Sequence, residues 1–431
     1  MHKKRADSTC PQILTPLSVD SKTIVGYFPG YLTAYTHYGS DINSVSPNLI
    51  PWNITHLNWI AFGPDDFQNK DIPLTSTHVF LNRTIFLAIV LSGNIKIGSF
   101  ANGTTSDHAG FITNVTNFVD LEYPNRFNCR NWLNDKNFVP LVNELSTALK
   151  GINKELSITV GPIPITGLNP DSVSFVNVMA TQVNIIHNLT TSTNKTGPSI
   201  TLDQTSTIMS NWSKIVPSAK LNLGVDLYGV IELTAPVGLG SLNNSQTIPR
   251  NLTNAPFTPS YSSDPPIQLF YDKCSFTLVN SIQLYPWYFM RQQTGPLINT
   301  CTAGIGWTRK FDSETSTTYL YKVSSATPVY EYVYVSYEDP QSIQYKLKLI
   351  TNSSYGGIAI SDLYADSSNE EMLNAITSVF PISYRNVTVP YVPYNYGGAS
   401  SSIILAILSC IIGVSIAIFI VRVWIWFIGK D

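Results

Sequence analysis

Two carboxylates in the middle of the chain are the residues best suited to chemistry. Asp120 and Glu122 alternate with apolar residues in the segment 118–124, FVDLEYP. In an extended strand every second side chain points the same way, so both carboxylates would lie on one face. Two carboxylates there are costly unless the face meets water, a partner or a substrate. The spacing therefore indicates a solvated strand edge or a substrate site, and leaves both open.

The segments around this pair alternate between strands and helices. Short runs rich in apolar residues predict strands at residues 23–29, 55–62, 156–160, 174–179 and 356–361. Apolar residues at helical spacing predict helices at 137–150, 205–215 and 370–380. This alternation is typical of a parallel α/β barrel, whose active sites lie at the carboxyl ends of the strands.

Composition and motifs exclude several classes of function. The 431 residues are 44% hydrophobic and 13% charged, with a net charge of −2, so the basic face that a nucleic acid needs is missing. The six histidines show no metal-ligand spacing, and no Cys-x-x-Cys, Gly-x-Ser-x-Gly or phosphate loop occurs. We therefore expect no nucleic-acid partner, no metal ion and no organic cofactor.

The end of the chain predicts a membrane anchor. Residues 403–421 carry no charge and are long enough to cross a bilayer as a helix. Trp424 and Trp426 follow, as is typical of a membrane–water interface, and Lys430 is typical of a cytoplasmic end. We predict a transmembrane helix with a short tail at 403–428, after a linker at 386–402. A glycolipid-anchor signal is the alternative.

Glycosylation motifs bear on the location of the folded part. Asn-x-Ser/Thr sequons occur more often than chance at Asn53, Asn82, Asn102, Asn114, Asn188, Asn194, Asn211, Asn243, Asn251, Asn352 and Asn386. They predict a glycoprotein whose folded domain is extracellular or lumenal. No secretory signal follows the basic residues 3–5, which leaves two interpretations: the start of the protein is missing from this sequence, or the protein is tail-anchored with a cytosolic domain.

Four segments share motifs with one enzyme family. Residues 120–124 are similar to the end of Asp-x-x-Asp-x-Asp-x-Glu-Tyr-Pro, and residues 56–62 resemble His-x-x-Tyr-Ala-Phe. Residues 221–229 closely match Leu-x-Leu-Gly-x-x-x-Tyr-Gly, and residues 337–342 resemble Tyr-Asp-Asp-Pro-x-Ser. These are motifs of glycoside hydrolase family 18, the chitinases, and the resemblance runs from about Lys22 to Pro381 in the family's order.

This resemblance implies a fold and a division of the chain. The fold would be a (β/α)8 TIM barrel with a small α+β insertion between strands 7 and 8. Its third, fourth and seventh strands would be residues 94–100, 118–122 and 221–229. An N-terminal extension would occupy residues 1–21, the barrel 22–385, and the insertion about 230–336. Cys274 and Cys301 both fall in that insertion, so we predict that they form a disulfide.

The resemblance also implies a reaction. The family cleaves β-1,4-linked N-acetylglucosamine polymers with retention, and the substrate's own acetamido oxygen attacks the anomeric carbon. Glu122 would protonate the leaving oxygen, and Asp120 would orient the acetamide. The residues implied to contact the sugar are Tyr27, Phe62, Tyr123 and Tyr228.

Departures from the family pattern keep the function open. The first two aspartates of the signature fall on Val115 and Phe118, a tyrosine after strand six falls on Thr181, and a sugar-stacking tryptophan falls on Ser361. Three functions remain: a membrane-anchored chitinase-like hydrolase, a catalytically impaired chitin-binding pseudoenzyme, and a surface glycoprotein without a sugar site. Glu122 favours the first, and the lost side chains favour the other two.

Overall fold

A computed structural model describes thirteen stretches of the chain. They are residues 22–29, 54–62, 84–90, 126–130, 138–181, 195–238, 240–249, 269–271, 278–291, 295–326, 330–361, 363–367 and 369–380. The chain divides into two units, Met1–Ser383 and Tyr384–Asp431, and every stretch just given belongs to the first.

Eight parallel strands close into a barrel. They are β1 Thr23–Pro29, β2 His56–Phe62, β3 Thr84–Val90, β4 Arg126–Arg130, β5 Glu155–Val160, β6 Phe175–Val178, β7 Leu221–Asp226 and β14 Gly357–Ser361. Around the barrel their order is β1, β14, β7, β6, β5, β4, β3, β2, and β1 pairs with both β14 and β2. The predicted parallel α/β barrel is confirmed.

The third and fourth strands lie elsewhere than the sequence predicted. Strands were predicted at 94–100 and 118–122, which fall outside the described stretches, whereas the barrel is completed by β3 and β4. β3, TIFLAIV, is an uncharged run of mostly branched residues and is the better candidate for a buried parallel strand. β4, RFNCR, alternates polar and apolar residues with the strand period of two and pairs with β3 and β5 in register.

Helices follow the strands as the alternation predicts. Those outside the insertion are α1 Phe138–Gly151, α2 Leu202–Ser213, α5 Pro340–Asn352 and α6 Glu371–Val379, with 3-10 turns at Pro170–Ser172, Ser218–Lys220 and Leu363–Ala365. α1 buries the face predicted for it, including Phe138, Leu141 and Leu145. α2 begins at a capping box, in which Thr201 and Gln204 each accept the other's backbone N–H.

An antiparallel sheet separates β7 from β14 at the position predicted for the insertion. Its strands are β8 Tyr228–Leu233, β9 Leu269–Tyr271, β10 Leu278–Pro286, β11 Thr308–Asp312, β12 Thr317–Ala326 and β13 Tyr330–Tyr337. The short helices α3 Ser241–Asn244 and α4 Trp287–Met290 belong to the same region. Cys301 is disulfide-bonded, whereas Cys274 lies outside the described residues, so the pairing of these two stays a prediction.

The interior of the barrel contains a polar layer. Asn58 on β2, and Thr159, Asn177 and Asn222 on the neighbouring strands β5, β6 and β7, are fully or almost fully buried. Barrel interiors of this fold are usually filled by branched apolar residues. Thr159, Asn177 and Asn222 are joined by hydrogen bonds, whereas neither amide atom of Asn58 has a hydrogen-bond partner among the described residues. A buried amide without a partner is costly, so Asn58 is the destabilising member of this layer.

Several predicted segments cannot be compared with the structure. The extension 1–21, the linker 386–402 and the predicted transmembrane helix 403–428 lie outside the described stretches. Among the helices that the structure does describe, none is long and apolar enough to cross a membrane.

Candidate functional site

The predicted catalytic residues fall outside the part of the chain that the structure describes. Asp120, Glu122 and Tyr123 lie between β3 and β4 in sequence, and β4 begins only at Arg126. Phe62 is the last residue of β2, but its side chain is not among those described. The roles of these four residues stay predictions.

Tyr27 lies on β1 inside the barrel and is 3% exposed. Its hydroxyl is hydrogen-bonded to Thr159 Oγ1 and accepts from Asn177 Nδ2 at 2.8 Å. Asn177 Oδ1 in turn accepts from Asn222 Nδ2 at 2.9 Å. The hydroxyl of Tyr27 thus holds together the polar layer across β1, β5, β6 and β7, so its observed partners are structural.

Two glycines of the seventh-strand motif allow close contacts between neighbouring strands. A Cβ on Gly224 would lie 2.6 Å from Met179 Sδ and 2.7 Å from the carbonyl oxygen of Val178, so only glycine allows β6 and β7 this approach. A Cβ on Gly229 would meet Val335 Cγ1 at 2.9 Å. The two glycines thus allow close contacts of β7 with β6 and of β8 with β13 on either side of Asp226 and Tyr228.

A polar cleft opens at the carboxyl ends of β6 and β7. Barrel residues, the loop before α2, and the insertion all contribute side chains to it. The polar side chains that line the cleft include Thr181, Ser199, Asp226, Tyr228, Glu338 and Lys346. Tyr228 lines this cleft, and its predicted role as a sugar contact stays a prediction.

One wall of the cleft is held by a buried ion pair. Lys346 Nζ, on α5, bonds Glu338 Oε1, and Lys346 is 3% exposed. Glu338 Oε2 also accepts from Ser342 Oγ at 2.7 Å. Removal of one member of such a pair would leave a buried charge without a partner, which is far costlier than removal of both.

A second ion pair ties the insertion to the start of α5. Asp339 caps this helix by accepting from the backbone N–H of Gln341 and Ser342, and Arg309 Nε donates to Asp339 Oδ2 at 3.0 Å. Burial alone would lower the pKa of Arg309, but the charge of Asp339 raises it, so the guanidinium stays charged. Burial, reinforced by Asp339, raises the pKa of Tyr337 well above its usual value.

Sequence reasoning missed several of these residues. Asp226 lies inside the seventh-strand motif, two residues before Tyr228, and its position at a strand end was the available signal. The ion pair of Glu338 and Lys346 joins residues eight apart across a helix start, where the resemblance suggested only that the helix carries a lysine. Among the described residues, no group of three or more His, Cys, Asp or Glu is placed to hold a metal ion.

The fold and the cleft define a class of protein: a TIM-barrel-like α/β fold with an antiparallel insertion after its seventh strand and a polar cleft at the carboxyl ends of β6 and β7. Comparison with known proteins narrows the class. The family model "Glycosyl hydrolases family 18" matches residues 28–366. The chain belongs to this family.

Solved structures of similar fold include chitinases from a fungus and an insect. The chitinase of Rhizomucor miehei is 18% identical with a TM-score of 0.60, and the match covers 82% of this chain and 99% of that one. The Group IV chitinase of Ostrinia furnacalis is 16% identical with a TM-score of 0.59, covering 84% of this chain and 100% of that one. At these identities the likeness shows the fold. No curated protein sequence matches the chain.

Proposed function

We propose that the protein is a chitinase-like glycoside hydrolase that binds and cleaves β-1,4-linked N-acetylglucosamine polymers. The observation that carries the proposal is the polar cleft at the carboxyl ends of β6 and β7 in a family 18 barrel. Its lining includes an aromatic ring, Tyr228, and hydroxyls that can bond a sugar. The Ostrinia furnacalis chitinase was also solved with allosamidin, which supports the ligand class.

The proposed reaction uses the substrate as its own nucleophile. The acetamido oxygen attacks the anomeric carbon as the glycosidic bond breaks, and the Glu122 carboxylic acid gives its proton to the leaving oxygen. Asp120 holds the acetamide in place and stabilises its developing positive charge. Water then opens the cyclic intermediate with Glu122 as the base, so the product keeps the β configuration.

A chitin-binding protein without activity is the second candidate. Thr181 lines the cleft where the family resemblance expects a tyrosine. In the sequence Glu122 also precedes the amino end of β4, which begins at Arg126, whereas the cleft lies at the carboxyl ends of β6 and β7. Each lost supporting contact is worth a few kcal/mol of transition-state stabilisation, or about a hundredfold in rate. A cleft of this kind can bind sugar without turning it over quickly.

Two variants separate these candidates. Glu122→Gln removes the proposed acid, and Glu144→Gln changes an exposed carboxylate on α1 as a matched control. We expect wild type and Glu144→Gln to cleave a chito-oligosaccharide at equal rates, and Glu122→Gln to be slower by about 10²–10⁴. Binding without cleavage by the wild type would support the second candidate. No binding at all would refute both.

We also propose that residues 403–428 anchor the protein in a membrane and that the barrel is extracellular or lumenal. The uncharged run and the sequons support this. The protein should stay with membranes after an alkaline wash, and glycosidase treatment should increase its gel mobility. Extraction by the wash would contradict the anchor, and unchanged mobility would contradict the location. The predicted disulfide between Cys274 and Cys301 should appear in a non-reducing peptide map.

A further inference from the structure

The sequon at Asn352 lies on the surface of the barrel, at the carboxyl-terminal end of α5. Asn352 is the last residue of this helix and is exposed, and so is Ser354, which supplies the hydroxyl of the sequon. Among the described residues neither side chain forms a hydrogen bond. Both functional groups of the sequon are therefore accessible, and a glycan on Asn352 would displace no interaction of the folded protein.

The backbone leaves helical geometry within this sequon. Ser353 ends α5, with its N–H donating to the carbonyl oxygen of Leu349, and Ser354 has a φ of +54°. A residue in this left-handed region is a common end to a helix. Within a helix, side chains two residues apart do not face each other. Because the chain turns after Asn352, its amide and the hydroxyl of Ser354 are not fixed on opposite sides of a helix.

The sequon at Asn211 shows the opposite arrangement. Asn211 and Ser213 both lie within α2, and Trp212 between them is fully buried. The Oδ1 atom of Asn211 accepts from Lys214 Nζ at 2.8 Å, and Ser213 Oγ donates to the carbonyl oxygen of Ser210 at 2.8 Å. Of these two sequons on barrel helices, the one at Asn352 is therefore the better placed to carry a glycan.

The length of α5 separates Asn352 from the cleft. Glu338 lines the cleft just before this helix begins, and the 13 residues of the helix make it about 20 Å long. Asn352 lies at the other end, next to the amino end of β14, which begins at Gly357. A glycan there would extend from the end of the barrel opposite to the cleft and would leave the cleft open.

We propose that Asn352 is a site of N-linked glycosylation and that its glycan covers the end of the barrel opposite to the cleft. The proposal rests on the extracellular or lumenal location proposed above. In the reaction, the amide nitrogen of Asn352 bonds to the anomeric carbon of an oligosaccharide carried on a lipid diphosphate. The bond from that carbon to the diphosphate oxygen breaks, the diphosphate leaves with the electron pair, and the amide gives up a proton.

Peptide mapping of the full-length protein, expressed in a eukaryotic cell, tests the site. Enzymatic release of an N-glycan in heavy-oxygen water converts the modified asparagine to an aspartate that carries a mass label. We expect this label at Asn352 in the wild type. Asn352→Gln and Ser354→Gly should both lose the glycan and increase gel mobility by the same step. Ser353→Ala keeps the sequon and should keep the glycan, so it is the matched control.

The variant Ser354→Gly guards against a folding artefact, because glycine adopts the left-handed backbone of this position more readily than serine does. Loss of the glycan should change the affinity for a chito-oligosaccharide by less than about twofold. A larger fall in both variants would contradict the placement of the glycan away from the cleft. An unlabelled Asn352 in a wild type that carries other N-glycans would overturn the site alone. A wild type without any N-glycan would overturn the proposed location with it.

Discussion

The titration of the Asp366 carboxyl group tests directly whether this side chain is buried as the structure shows. Its carboxylate caps α6 and accepts from the backbone N–H of Ser367 at 2.7 Å, Leu373 at 2.9 Å and Met372 at 3.1 Å. Burial nonetheless raises its pKa from 3.8 to about 6, and the neighbouring charge of Glu371 adds to this. The folded protein therefore holds a proton on Asp366 at pH values where the unfolded chain has lost it.

The sign and size of the effect follow by linkage. Because the folded pKa is raised, the contribution of Asp366 to stability is present in full below pH 3.8 and is lost as the pH rises through about 6. A difference of about 2 between the folded and unfolded pKa is worth about 3 kcal/mol. Asp366→Asn cannot titrate, so the free energy of unfolding of wild type minus variant should fall by up to about 3 kcal/mol between pH 3.8 and 7.

Chemical denaturation across this pH range measures the difference directly, since other titrating groups cancel in the subtraction. Gly151→Ala, which removes no titrating group and meets nothing within 4 Å, is the control and should show a pH-independent difference. A wild-type-minus-Asp366→Asn difference that is flat with pH, or that rises with pH, would refute the burial of this carboxylate.

Three further perturbations test other parts of the molecule. Lys346→Met should lower the free energy of unfolding by about 3–5 kcal/mol because it leaves Glu338 buried without its partner. The double variant Lys346→Met with Glu338→Gln should recover most of that loss, and equal losses for the two variants would contradict the ion pair. Gly224→Ala should lower the free energy of unfolding by about 1–3 kcal/mol because the added methyl group overpacks the contact between β6 and β7. Gly151→Ala, whose added methyl group meets nothing within 4 Å, is the control, and similar changes in melting temperature for both variants would argue against this close contact. Tyr27→Phe removes the hydroxyl that bonds Thr159 and Asn177, so it should lower the free energy of unfolding by about 1–3 kcal/mol and leave the affinity for chito-oligosaccharides unchanged. A fall in affinity without a loss of stability would instead indicate that Tyr27 contacts the sugar.

Most barrel strands could be predicted because local sequence carries the signal. β1 is a run of branched and aromatic residues that ends at Pro29, and it has the predicted bounds. The start of α5 was also readable, because Pro340 stands at the first turn and Ser342 completes the capping box with Asp339. In these elements the secondary structure that the local sequence favours is the one that the folded protein adopts.

The third and fourth strands were not predictable in the same way. The prediction at 118–122 followed a motif resemblance, whereas β4 is defined by its pairing with β3 and β5, and register between distant segments cannot be read from either one alone.

The candidate site shows the same limit. Motifs led to Tyr228, but Asp226 also lines the cleft, as do Glu338 and Lys346, which follow Tyr228 by more than a hundred residues in the sequence. Only the insertion sheet and α5 bring them together. The hydrogen bonds of Tyr27 to Thr159 and Asn177 join three strands across the barrel, so no local pattern could show them.

The most direct test of the proposed function is the stereochemistry of the first product, followed by proton NMR as the full-length protein acts on a chito-oligosaccharide. Substrate-assisted cleavage with Glu122 as the acid predicts the β anomer first, with the signal nearly absent for Glu122→Gln. An α anomer first, or equal rates for wild type and Glu122→Gln, would contradict hydrolysis at this residue.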